Sequence, residues 1–215
     1  MNMNMNMNMN MNMNMNMNMN MNMNMDMDTD VDRVEEPPVQ LIGMLGQPYD
    51  PKRVQAVLKP YGVKRMPAPK SYFNDTMIPC AKASLRMDLY RIPKINELTG
   101  LQYTKPDDWI IGAIHFLPPG SGNQNEVPYP VILPEDITMN SSPEEAIAAY
   151  GPPQLDEECE WPGFSGRIIA WRGEGINIAL EYEYSREGRV LRTYIACLIG
   201  CIGAWRSDNP EVFAP

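Results

Sequence analysis

The residues that could perform chemistry in this sequence are few and far apart. The single histidine, His115, lies in an apolar segment beside Phe116, and no serine or cysteine is placed to act as its nucleophile. A lone histidine in such a segment is usually a structural residue. We therefore expect a protein without catalysis, and the alternative is a small-molecule enzyme or ligand-binding domain that uses a pocket near His115.

Motifs for metals and phosphates are also missing from the sequence. Cys197 and Cys201 could share one strand face, but they lack the second close pair of ligands that structural zinc sites use. Residues 120–123 are glycine-rich but lack the Lys-Ser/Thr of a phosphate-binding loop. Residues 163–166 do not have the Gly-x-Ser-x-Gly spacing of a nucleophile elbow. We expect no metal and no cofactor.

Charge is unevenly distributed along the chain. The formal net charge is -9, of which residues 1–36 contribute -5, so that -4 remains for the rest. Residues 50–94 carry +7, whereas residues 95–215 carry -11. A chain with this distribution could pair its own halves.

Within the acidic half, four carboxylates surround one aromatic side chain, in a segment that its flanking prolines predict to be a loop. We predict that this segment binds a partner protein, through Asp156, Glu157, Glu158, Glu160 and Trp161. Charge would steer the encounter with a basic surface, and the tryptophan would anchor it. The alternative is an ordinary solvated acidic loop with Trp161 turned into the core.

The sequence also bears on nucleic acids and membranes as partners and on the cellular compartment. Basic residues with interspersed tyrosines between Lys52 and Tyr72 could hold phosphates, but the rest of the fold is acidic and we expect no nucleic acid. The longest apolar run, residues 194–205, is too short to span a bilayer, so we expect no membrane association. The four cysteines are too widely spaced for a disulfide framework, and the N-terminus does not resemble a secretory signal. These features predict a cytoplasmic protein.

The first residues are a strict Met-Asn alternation followed by an acidic stretch. Because the alternation has neither β-branched side chains nor a turn, we predict a disordered tail over residues 1–36, with cross-β stacking between chains as the alternative. The repeat also implies a six-base unit in the gene, so translation could start at several methionines. Residues 37–215 are long enough for a single domain, and lobes over 37–134 and 135–215 are conceivable.

Signals for secondary structure are clear in this domain. Asp50 and Pro51 predict the start of a short amphipathic helix, and Ser142 and Pro143 predict a second. Apolar patterning predicts strands over residues 84–91, 109–117, 164–171, 176–184 and 190–202. In the fourth of these, we expect Asn177 to face water. The sequence thus predicts an α+β fold, mostly antiparallel sheet with two short amphipathic helices, and two related lobes are possible because both helices end in Tyr-Gly.

The order of several short motifs resembles a known class of bacterial proteins. The motifs run from Leu45-Gly46-Gln47-Pro48, through Val131-Ile132-Leu133-Pro134 and a Ser-capped helix ending in Tyr150-Gly151-Pro152-Pro153, to Trp161 and an antiparallel meander. This layout, which covers most of residues 40–205, is similar to that of immunity proteins encoded beside polymorphic toxins. The resemblance implies a cytoplasmic antidote that blocks a cognate toxin by tight binding. It assigns no functional residues, since immunity surfaces diverge with their toxins.

Overall fold

The computed structural model describes residues 41–100, 102, 108–119, 127–161, 164–173 and 175–199, except for the side chains of residues 98, 99, 161 and 164. Within these residues, seven strands form one antiparallel sheet, as the predicted fold class requires. The predictions for residues 1–36, for residues 120–123 and for Cys201 fall outside the described residues.

The sheet contains strands from both halves of the domain. Its order is β1-β2-β3-β7-β6-β5-β4. The strands are β1 Asp75–Cys80, β2 Leu85–Arg91, β3 Trp109–Phe116, β4 Leu155–Trp161, β5 Phe164–Arg172, β6 Asn177–Tyr184 and β7 Val190–Leu198. The predicted strands β2, β3, β5, β6 and β7 are confirmed. Because β3 pairs with β7 from Ala113↔Leu198 to Phe116↔Ile195, the strands of the N-terminal and C-terminal halves share a single sheet.

The α-helices that are described over their full length are α1 Pro51–Leu58, α2 Ile92–Thr99 and α3 Pro143–Tyr150, beside short 3-10 helices such as Lys59–Tyr61. The two predicted helices, α1 and α3, are confirmed, as are their caps. The Asp50 carboxylate accepts a hydrogen bond from the backbone N–H of Lys52 at 2.8 Å. At α3, Ser142 and Glu145 form a reciprocal capping box. These side chains satisfy N–H groups that have no partner within the helix.

The sequence analysis missed α2. Pro93 follows β2 directly, and a proline at that point suggests only the end of the strand. In the structure Pro93 lies in the first turn of α2, where a missing backbone N–H costs nothing because that N–H would have no intrahelical partner. The helix ends at Gly100, whose φ of 70° is left-handed.

The helices divide between the two faces of the sheet. Face A carries α1 and α3, and its core includes Leu58, Ala146 and Ile114. Face B carries α2, and its core includes Ile95 and Ala196. Alternate residues of each strand point to opposite faces, so both faces of the central strands are buried. This double burial explains why β3 is apolar along almost its whole length.

One residue of β6, Asn177, is less exposed to solvent than predicted. Leu180 and Tyr182 lie in the core of face A, as expected. Asn177, which we expected to face water, is only 6% exposed. Its register partner Leu198 belongs to the core of face B, so the prediction is wrong because this end of face B is covered as well.

A pair of isoleucine truncations tests this core. Ile114 on β3 is 0% exposed, whereas Ile132, in a connection, is 42% exposed. We expect Ile114→Ala to lower the free energy of unfolding by about 2–5 kcal/mol, because it removes buried methyl groups and leaves a cavity. Ile132→Ala should change it by only about 0.5 kcal/mol. Urea denaturation of both variants measures the difference, and equal losses would contradict the assigned burial.

The acidic edge strand as a candidate interaction site

The acidic segment predicted to be a loop is an edge strand. All seven residues of β4 pair with β5, from Leu155↔Ala170 to Trp161↔Phe164. The loop prediction is therefore wrong. Glutamate and aspartate have low strand propensity in general, but they are common on edge strands, where charge discourages unwanted pairing with other chains. Among the described residues, no strand pairs with the other side of β4.

Strand alternation decides where the carboxylates point. Leu155 and Cys159 pack against the core of face B, so the odd-numbered residues of β4 point to that face. Asp156, Glu158 and Glu160 point to the opposite side, towards face A. The strand thus presents negative charge on both sides of the sheet edge.

Three of the predicted partner-binding residues are free to meet a partner. Glu157, Glu158 and Glu160 are exposed, and none of them has an ion-pair partner among the described residues. They lie within four consecutive positions of one strand, so the structure brings them together. The side chain of Trp161 lies outside the described residues, so its anchoring role stays a prediction.

Asp156 has a different role from its neighbours. Its carboxylate accepts two hydrogen bonds from the guanidinium of Arg167 on β5, at 2.7 Å and 2.8 Å. These bonds hold the pKa of Asp156 below its ordinary value of 3.8, although partial burial opposes the shift. Asp156 therefore fixes β4 to β5 and contributes less free charge to the edge than the glutamates do.

Arg167 is the residue that the sequence analysis missed at this site. Its guanidinium also lies 3.9 Å from the carboxylate of Glu144 in the first turn of α3, and it contacts Tyr184 on β6. Arg167 thereby links the acidic edge to the helix above it. The signal in the sequence was its isolation, because it is the only basic residue between Lys105 and Arg172.

Within the part of the chain that the structure describes, no ion pair joins the two halves. The described ion pairs of Lys and Arg lie in two regions. Two of them are within β2 and within α2. The others join β5 to β4 and to α3, join β6 to β7, and lie in the turn between β6 and β7. None of them joins α1 or β1–β3, whose region carries most of its basic charge in α1 and in the connections, to β4–β7. The sheet order places β1 and β4 at opposite edges, so the acidic strand β4 lies away from the basic segment that is held beside β1.

The single histidine is held by a carboxylate. His115 Nε2 lies 2.9 Å from Asp88 Oδ2 on the neighbouring strand, and the guanidinium Nε of Arg86 lies 3.3 Å from Asp88 Oδ1. The His115 side chain is 13% exposed, on the same face of the sheet as α2. A carboxylate that orients an imidazole in this way stabilises the strand pair, and it also resembles the arrangement of a general base.

The remaining chemistry of the described residues is limited. No group of three or more His, Cys, Asp or Glu side chains within them is placed to hold a metal ion. Cys80, Cys159 and Cys197 are not in disulfide bonds, and burial raises the pKa of Cys80 and Cys197 to about 12, which keeps both thiols protonated. None of the described helices is both long enough and apolar enough to cross a membrane.

The contact between Asp156 and Arg167 predicts a pH-dependent contribution to stability. We expect Asp156→Asn to lower the free energy of unfolding by at most about 1 kcal/mol at neutral pH, because the pair is partly solvated. The pKa of Asp156 is lower in the folded state than its ordinary value of 3.8. The contact therefore stabilises the fold fully above pH 3.8, and this stabilisation is lost as the pH falls through the folded-state pKa. Urea denaturation at neutral and acidic pH measures whether the free energies of unfolding of the native chain and of Asp156→Asn become equal as the pH falls.

Asp75→Asn provides the control for this experiment, because Asp75 lies on the opposite edge strand β1 and is exposed without a described ion pair. It should change stability little at either pH. An Asp156→Asn variant that behaves like Asp75→Asn at neutral pH would show that the contact does not stabilise the fold.

Comparison with known proteins adds no assignment to this site. No protein-family model, no curated protein and no solved structure matches the chain. The chemistry of the acidic edge is therefore interpreted from its own geometry.

Proposed function

We propose that this chain is an immunity protein, which neutralises a cognate bacterial toxin by binding it tightly and covering its active site, without catalysis of its own. The observation that supports the proposal is the set of three exposed, unpaired carboxylates on an edge strand, Glu157, Glu158 and Glu160. A rigid row of negative charge is complementary to a basic surface on the toxin. Such a surface is expected where a toxin binds an anionic substrate.

The shape of the site also suits a protein partner. An edge strand offers backbone N–H and C=O groups to a segment that can extend the sheet, while its side chains supply specificity. A stable complex buries about 800 Å² on each partner, which is more than one short strand provides. Glu144, whose side chain is 77% exposed, extends the acidic surface from β4 to α3 through Arg167.

The proposal also implies a cellular location for the protein. An antidote to a toxin that acts inside the cell works in the cytoplasm, and it needs neither a membrane nor a nucleic acid as a partner. The absence of a membrane-spanning helix among the described residues is compatible with this place of action.

A second function has one observation in its favour. The Asp88 carboxylate orients His115, and Arg86 adjoins the same carboxylate, so a small anionic ligand or substrate could be held at this point of face B. This would make the chain an enzyme or a ligand-binding domain. His115→Gln separates the two functions, because it should leave toxin neutralisation intact and abolish a His115-dependent activity.

Charge reversal of the edge tests the proposed function. The toxin to be used is the product of the gene adjacent to the one for this chain. We expect that product to be lethal alone and harmless when the full chain is co-expressed. Replacing Glu157, Glu158 and Glu160 together with lysine should weaken the complex by about 100-fold or more, since close charge pairs dominate such interfaces. Growth assays and calorimetric titration at several salt concentrations measure both effects.

Two charge reversals away from β4 control for nonspecific electrostatics, and they match a β4 variant in which only Glu157 and Glu158 are replaced by lysine, because two replacements then change the charge in each variant. Glu97, Glu144 and Glu187 are exposed in α2, in α3 and in the turn between β6 and β7. Of these, only Glu144 adjoins the proposed interface, so the control is Glu97→Lys with Glu187→Lys. This control should protect cells as the native chain does. Full protection by the β4 variant would remove the acidic edge from the interface, and a harmless neighbouring product would overturn the immunity proposal.

A further inference from the structure

The opposite edge of the sheet exposes large apolar side chains. Tyr72 is 103% exposed and Phe73 is 75% exposed, just before β1, and Met77 on β1 is 54% exposed. Three large apolar side chains exposed within six positions are more than the scattered single residues of an ordinary surface, and they mark a candidate contact surface.

Exposed basic residues precede this group in the chain, in a segment held beside β1. Lys64, Arg65 and Lys70 are exposed, and none of them has an ion-pair partner among the described residues. Their segment is held beside β1 because Met66 is buried and its sulfur lies 3.8 Å from the sulfur of Cys80. The basic charge is therefore fixed next to the sheet edge.

The aromatic pair lies in a turn with its own hydrogen bonds. The Ser71 hydroxyl accepts a hydrogen bond from the backbone N–H of Phe73 at 3.0 Å. Arg91 at the end of β2 donates to the carbonyl of Ser71 at 3.2 Å, and its backbone N–H donates to Asn74 at 2.8 Å. We call this surface the basic-aromatic edge, defined by Lys64, Arg65, Lys70, Tyr72, Phe73 and Met77.

We propose that the basic-aromatic edge of one copy binds the acidic edge strand β4 of a second copy. Within the described residues, the basic-aromatic edge carries three cations without an ion pair beside the single carboxylate of Asp75, whereas β4 carries three carboxylates without an ion pair, so the two surfaces are opposite in sign. They lie at opposite ends of one sheet. Because each copy has one surface of each kind, the contact is head-to-tail and leads to a closed ring or an open chain of copies.

The contact is carried mainly by side chains. Pro79 in β1 has no backbone N–H, which interrupts the hydrogen-bond ladder that a seamless sheet would need. The whole chain carries a net charge of -9, so two copies repel each other at long range and attract only where the two edges meet. We therefore expect association to be reversible and to weaken as salt is added.

Self-association and toxin binding would compete for β4, but neither depends on the other. If the immunity proposal fails, the complementarity of the two edges is unchanged. A variant with an altered basic-aromatic edge should lose self-association and keep toxin neutralisation, so the two proposals fail separately.

Sedimentation velocity of the full chain over a wide range of concentrations tests this inference. In a low-salt buffer of about 0.1 M, where charges interact over roughly 10 Å, the long-range repulsion is screened while the facing edges still attract, so the average mass should rise with concentration. In about 1 M salt, where that distance is roughly 3 Å, the chain should return to a monomer. A chain that is monomeric at every concentration in low salt would overturn the proposal.

Variants identify the surfaces involved. Lys64→Glu with Arg65→Glu should be monomeric in low salt, as should the triple lysine variant of β4. An equal mixture of these two variants should associate again, because each restores complementarity for the other. Arg186→Glu with Arg189→Glu, in the turn between β6 and β7, controls for net charge and should associate as the native chain does. Association that survives both edge variants, or a mixture that stays monomeric, would overturn the assignment.

Discussion

The pairing of β3 with β7 is the interaction on which the rest of the structure depends. It consists of four residue pairs, from Ala113↔Leu198 to Phe116↔Ile195, and it alone joins the strands of the N-terminal half to those of the C-terminal half. All other strand pairs are between strands adjacent in the sequence. The side chains at this junction are buried on both faces, which makes register errors costly because one-residue slips exchange the two faces.

This junction also determines the electrostatics of the molecule. It places β1 at one end of the sheet and β4 at the other, so the charge asymmetry of the sequence becomes a separation in space. Each half has its own ion pairs, such as Arg86 with Asp88 and Arg167 with Asp156. At the two edges, Lys64, Arg65 and Lys70 on one side and Glu157, Glu158 and Glu160 on the other have no ion pair among the described residues, so a partner could reach them.

The sequence predicted the elements that carry strong local signals. Capping residues located α1 and α3, and alternating apolar residues located the inner strands, because burial imposes a period of two on them. The edge strands β1 and β4 were missed since the same burial does not constrain them: Pro79 interrupts one and four acidic residues fill the other. The acidic residues themselves were identified, but their geometry required the β4–β5 register. Only that register brings Arg167 to Asp156 and separates the anchoring carboxylate from the free ones.

The exposure of β4 has a consequence for how this protein can diversify. Glu157, Glu158 and Glu160 contribute no side chain to either core, whereas Leu155 and Asp156 hold the strand in place through face B and Arg167. Substitutions at the three glutamates can therefore accumulate with little effect on folding. The fold therefore separates a scaffold that packing holds in place from an exposed strip of sequence that tolerates substitution.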